Sequence, residues 1–266
     1  MKNRVAGIIL FLININFCVS QNIRGTAFYI SKSSSKIFKN EALNDPNMDP
    51  VMKKFIEAKM DMMLNKTYIL HFDNFNSLYK EDIKVEINNN DIDGSWSPYG
   101  IEVAYFKNIK TKSYIIQEDL MGKELFVKDS LTNFDWKLES ETKQIGSFLC
   151  HKATAKIIKR TEVNATSSRQ TNFLTNDEKN DEYFVTAWYT EEIPINSGPT
   201  SFWGLPGLIL ELNNKTTSIL CSKIILNSKE TKKINIPKNA KIMSRNDFDI
   251  LVKMKNKELE NIDFTK

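Results

Sequence analysis

Two histidines, His71 and His151, and two cysteines beyond the first twenty residues, Cys150 and Cys221, are the side chains best suited to nucleophilic or metal chemistry in this chain. His151 follows Cys150 directly. Neighbours on a strand point to opposite faces, so the two form no Cys-His pair without a distortion such as a bulge. His71, in "ILHFD", also falls in a strand-like run. The loop "NNDIDG" brings Asp91, Asp93 and Gly94 into register with a calcium loop that starts at Asn89, but the first Asp is missing and position twelve is Gly100 rather than Glu. Three Asn-x-Thr sequons, at Asn65, Asn164 and Asn214, are expected by coincidence in an Asn-rich chain. The reading is a protein without catalytic residues, cofactor or metal, in which a carboxylate mechanism is the one enzymatic route left open.

The densest cluster of unusual residues is "AWYTEEIPINSGPTSFWGLPGLILEL", Ala187 to Leu212. Its Pro and Gly residues predict a stiff connection. Ile193, Gly198 and Leu205 each precede a proline and are held extended. Leu205, Pro206, Gly207 and Leu208 have the residues of a type II turn, with proline setting φ at the second position and glycine accepting φ > 0 at the third. Two uses fit this stretch. In one it is a rigid crossover pinned on a hydrophobic core. In the other Trp188, Tyr189, Phe202 and Trp203 form an aromatic binding rim.

The cysteines allow two readings as well. Each lies in a strand-like run, "FLCHKATA" and "SILCSKIIL", with Lys152 or Lys223 two residues on and so expected on the same face. A Cys150–Cys221 disulfide and two separate buried thiols both fit an exported chain.

Export is predicted from residues 1–20, "MKNRVAGIILFLININFCVS": a basic start, a short apolar run and small residues ahead of a cleavage site near Ser20. The apolar run is too short to span a bilayer, and no later segment of the mature chain reaches that length. Loss of Lys2 and Arg4 brings the formal charge of +4 closer to neutral, which offers no electrostatic argument for nucleic acid.

The elements that must position these residues are mostly strands. "NMDPVMKKFIEAKMDMMLNK" predicts a helix over 49–64, capped by Asp49 and opened by Pro50, with Val51, Met52, Phe55, Ile56, Met60, Met62 and Met63 along a broad apolar stripe. Short alternating runs follow: "TYILHF", "IKVEI", "IEVAYF", "SYIIQ", "ELFVK", "FDWKL", "IGSFLCHKATAKII", "EYFVTAWYT", "LILEL" and "SILCSKIIL". Ser244 and Asp247 are spaced as a capping box for a C-terminal helix over 245–262, with Phe248, Leu251, Met254 and Leu259 on one side. The expected class is α+β, mostly β: one domain over 21–266 built on a meandering, curved antiparallel sheet of open, half-barrel type.

At Gly204, Leu205, Pro206, Gly207, Leu208 and Ile209 the chain resembles the GLPGLI family of secreted bacterial proteins, found chiefly among the Bacteroidetes and a domain of unknown function. The upstream "AWYTEEIPINSGP" matches its Trp-Tyr-Thr, Ile-Pro and Gly-Pro elements. "WKLESETKQIGSFLCHKATA" is similar to its companion segment through Trp136, Ile145, Gly146, Cys150, Lys152 and Ala153. Ser147 and Phe148 stand where an aromatic close to the glycine is expected. The resemblance implies an exported envelope protein, periplasmic or outer-membrane-associated, with no assigned reaction, cofactor or catalytic residue. The element order is similar to open, curved-sheet proteins that carry lipoproteins or lipids, an analogy of fold and not of site. Two functions follow. One is a carrier that encloses a hydrophobic small molecule or lipid between sheet, Met-rich helix and aromatic crossover. The other is an accessory protein with a solid core that docks to an envelope protein partner.

Overall fold

A computed structural model describes residues 23–34, 48–82, 104–158, 182–227, 234 and 241–260. The predicted signal segment, the calcium-like loop and the "IKVEI" run lie outside the described residues. Strands β1 (Gly25–Ser33), β2 (Asn65–Phe72), β3 (Asn76–Glu81), β4 (Ala104–Asn108), β5 (Ser113–Leu120) and β6 (Lys123–Ser130) form one half of a sheet. β7 (Lys137–Ile145), β8 (Phe148–Ile158), β9 (Glu182–Thr190), β10 (Leu208–Asn213) and β11 (Thr217–Leu226) form the other, and β12 (Ile242–Ser244) is a short edge. The described strands make a single twelve-stranded sheet in the order β12-β6-β5-β4-β3-β2-β1-β11-β10-β9-β8-β7. Among the described strands the β12–β6 pair is parallel and the other pairs are antiparallel. The predicted class of fold is the one observed, an open, curved, mainly antiparallel sheet with helices α1 (Pro50–Leu64) and α2 (Arg245–Glu260).

The helices start where their side chains can cap them. The Val51 amide donates to Asp49 Oδ1 at 3.2 Å, and the Asp247 amide donates to Ser244 Oγ at 3.1 Å while that hydroxyl donates to Asp247 Oδ2 at 2.7 Å. α2 buries Phe248 and Val252 against Leu120, Leu125 and Val127, whereas Met254 faces out. Two expected strands are shortened. "FDWKL" becomes strand only from Lys137, and "IGSFLCHKATAKII" is broken into β7 and β8 by a turn at Gly146, which has φ 60°.

Strand order and one short linker explain the curvature. β6 and β7 stand ten positions apart in the sheet, which in a flat sheet at about 4.8 Å per strand would separate them by roughly 48 Å. The chain between Ser130 and Lys137 reaches only about 25 Å when fully extended. The sheet must therefore curl until its two ends approach, and residues 131–136 bridge them.

Pairing fixes which side chains face inward. Ala27, Tyr29, Leu70, Tyr79 and Lys107 share one face with Val185, Ala187, Tyr189, Leu212 and Ile219. That face is concave and holds the main core. The outer face of β7–β10 carries ion pairs beside the exposed Phe184: Lys143 meets Glu211 at 2.6 Å, and Lys152 meets Glu139 at 3.0 Å and Glu141 at 2.8 Å.

Candidate functional site

β9 and β10 are antiparallel neighbours, so residues 191–207 connect a hairpin and do not cross over to another part of the sheet. They fold back into the concavity instead. Ile193, Ile195, Phe202 and Leu205 are buried there. The connection reaches strands far from its own: Ser197 Oγ donates to Ser77 Oγ on β3 at 3.0 Å. It also meets β4, where the Lys107 ammonium donates to the carbonyl oxygens of Gly198, Thr200 and Phe202 at 2.6, 2.8 and 2.9 Å. Lys107 is fully buried. Burial pushes its ammonium down from 10.5 to about 7. The three carbonyls oppose that shift, because they bind the charged form.

A plug of aromatic rings closes the site against the 131–136 linker. Phe134 stacks on Phe202 with centroids 4.8 Å apart, and Trp136 lies 6.1 Å from Phe202. Trp203 Nε1 donates to the Thr132 carbonyl at 2.7 Å, and Trp136 Nε1 donates to the Trp203 carbonyl at 2.8 Å. Each indole thus has its polar edge satisfied by backbone from the other segment.

These placements change the expected roles of the stretch. Pro206 and Gly207 do not form a type II turn. Gly207 lies outside the left-handed region, and the Leu208 amide donates to the Ile193 carbonyl at 3.0 Å. The glycine that uses positive φ is Gly204, at 99°, whose amide donates to Asn196 Oδ1. Gly207 is required for another reason: a Cβ there would sit 1.9 Å from the Thr190 carbonyl oxygen. Leu208 and Ile209 then enter β10, where Tyr29 Oη donates to the Ile209 carbonyl at 2.8 Å.

The four aromatic residues do not make a rim. Tyr189, Phe202 and Trp203 are buried on the concave side. Trp188 points to the outer face, beneath Lys143 Nζ at 4.2 Å from its ring. The cysteines are both free, and strand pairing puts them on opposite faces with β9 and β10 between them, so they do not bond to each other. Burial is the main cause that pushes the Cys150 thiol up to about 11 and the Cys221 thiol up to about 12. Lys152 shares the face of Cys150 as expected, but a bulge between Cys221 and Lys223 turns Lys223 to the other side, over the Phe28 ring.

His71 Nδ1 lies 3.0 Å from Thr26 Oγ1, and the His151 ring packs 5.9 Å from Tyr189. Among the described residues no group of three His, Cys, Asp or Glu side chains is placed to hold a metal ion. The arrangement at the concave face is a set of polar groups turned toward one another, a structural clamp in chemical terms. The sequence reading missed its two main members, Lys107 and the Phe134–Trp136 linker. Lys107 alternates with Phe106 in "AYFKN", where only its phase with Tyr105 hints that it faces inward.

Residues 136–211 match a family described as a protein of unknown function, Porph_ging. The matched segment begins at Trp136 of the plug and ends in β10, so it contains the clamp's connection but not β4. No curated protein matches the chain. Among solved structures, PNGF-II in C2 and P21 space groups aligns with TM-scores of 0.49 and 0.48 at 13% and 14% identity, over 86% and 87% of this chain. This chain spans only about a third, 32% and 33%, of those PNGF-II chains. LprF from Mycobacterium bovis aligns with a TM-score of 0.26 at 9% identity, over 82% of this chain and 90% of that one. These likenesses are too distant to carry a functional argument.

Proposed function

We propose that this is an exported, non-enzymatic binding protein that works through its outer surface, as an accessory protein docking to a protein of the cell envelope. The observation that carries this reading is the occupancy of the concave face by the chain's own residues 191–207, with Phe202 only 1% exposed. A carrier for an apolar molecule or lipid needs that space for its cargo. Such a carrier also needs the Met-rich helix turned toward the sheet. Of its described apolar side chains, Val51, Met52 and Phe55 are 73%, 51% and 58% exposed, while Ile56 and Met60 are half-buried. The three exposed residues form an apolar patch flanked by the exposed Lys53 and Lys54, as a docking surface would. No helix among the described residues is long and apolar enough to cross a membrane. Export rests on the leader-like residues 1–20, with cleavage near Ser20.

The test is a photo-crosslinking residue at position 51 or 55 of the full chain in cells. The expected result is one discrete crosslinked envelope protein, lost when the probe is moved to the outer face at Thr186. Crosslinks no different at the two places would overturn the docking reading. Native mass spectrometry of the purified chain showing a bound lipid in fixed stoichiometry would restore the carrier.

A further inference from the structure

The clamp at Lys107 has the composition of a small receptor. Carbonyls of three alternate residues, Gly198, Thr200 and Phe202, converge on one nitrogen at 2.6, 2.8 and 2.9 Å. An ammonium has three protons, and each meets one carbonyl in the short range of charge-assisted hydrogen bonds. A hydroxyl or a neutral amine offers fewer protons and would leave a buried carbonyl without a donor. The backbone is bent to make this set. Thr200 sits at φ 51°, a conformation rare for residues other than glycine, and the Phe202 amide donates to the Pro199 carbonyl at 3.2 Å to close the turn around it. The Ser197–Ser77 bond fastens the turn to β3 on one side, and the Trp203–Thr132 bond fastens it to the plug on the other.

No described carboxylate balances the charge. Among the described residues the only further neighbour of note to Lys107 is the Tyr105 ring, 6.0 Å away. A buried cation held by carbonyl dipoles alone is the device by which proteins strip a monovalent ion of its hydration shell. We propose that residues 198–202 are a receptor for a compact monovalent cation, occupied in this chain by the ammonium of its own Lys107, and that this occupancy latches the 191–207 connection onto the concave face. Lys107 is then a positioning residue whose charge, more than its volume, holds the matched family segment against a strand outside that segment.

The test uses the full chain and hydrogen exchange. In Lys107→Ala the amides of Phe202, Leu208 and Ile209 exchange at least about tenfold faster than in the wild type, while those of Ala27 and Leu70 in the central strands are unchanged. Added ethylammonium restores slow exchange at Phe202, and potassium does so in part. Ethanol at the same concentration does not. Lys107→Met, which keeps most of the volume but no charge, behaves as Lys107→Ala. Should Lys107→Ala fail to fold, refolding it with ethylammonium recovers the native spectrum and refolding with ethanol does not. Slow exchange retained in Lys107→Met would overturn the proposal, as would rescue by ethanol equal to that by ethylammonium, or no rescue by any cation.

Discussion

The connection 191–207 and helix α1 are both rich in large apolar residues, yet the molecule treats them in opposite ways. The connection turns Ile193, Ile195, Phe202 and Leu205 inward, and side chains or backbone groups from β3, β4, β10 and the 131–136 linker meet its polar groups. α1 leaves Val51, Met52 and Phe55 largely exposed and packs beside β1 and β2. Buried apolar area stabilises the fold at about 25 cal/mol per Å². That term is smaller for Val51, Met52 and Phe55, which stay 73%, 51% and 58% exposed. What the difference teaches is where selection for folding and selection for a partner act: the apolar area on the concave side is explained by the chain's own packing, and the area that α1 leaves exposed is not.

The comparison breaks most easily at Gly207. A side chain there meets the Thr190 carbonyl oxygen at 1.9 Å from its first carbon, and backbone on a paired strand cannot retreat without opening the β9–β10 ladder. Gly207→Val is expected to abolish cooperative thermal unfolding. An unchanged melting temperature would show that β9 and β10 splay freely at their ends, and the connection would no longer count as a fixed part of the core. Phe202→Ala has the next largest effect. It empties the centre of the plug and leaves Phe134 without its stacked partner, so a loss of about 3–5 kcal/mol is expected by denaturant titration. A loss below about 1 kcal/mol would mean that the linker collapses onto the space and that the plug is soft.

The sequence made the architecture legible where one physical signal dominated. Alternation placed most strands, and Asp49 and Ser244 placed the starts of both helices to within a residue, because caps act locally. The Pro and Gly residues of "GLPGLI" correctly marked a rigid connection but suggested the wrong mechanism. Gly207 is needed for a contact with Thr190, seventeen residues away in sequence, and turn rules see only neighbours. Lys107 was invisible for the same reason: its partners lie 91 to 95 residues downstream, and a lone lysine in a short strand reads as solvent-facing. The curvature was expected only from the analogy of element order; its cause escaped, since it follows from β6 and β7 lying near opposite ends of a strand order that composition does not encode. The aromatic quartet misled because period-two alternation separates Trp188 from Tyr189 by the thickness of the sheet.

The smallest expected effect on stability is the most informative about function. Phe55→Ser removes a large ring that is 58% exposed, so thermal unfolding of the purified chain is expected to move by no more than about 0.5 kcal/mol. The same substitution is expected to remove the partner crosslink obtained from position 51, because rings at the centre of a docking patch carry a large share of its binding energy. The helix start is not at stake, since the Asp49 cap does not involve the Phe55 side chain. A fall in stability approaching that of Phe202→Ala would mean that Phe55 packs within the chain. The contrast between a self-filled concavity and a helix with an exposed apolar patch would then fail, and with it the reason for placing the binding surface on α1.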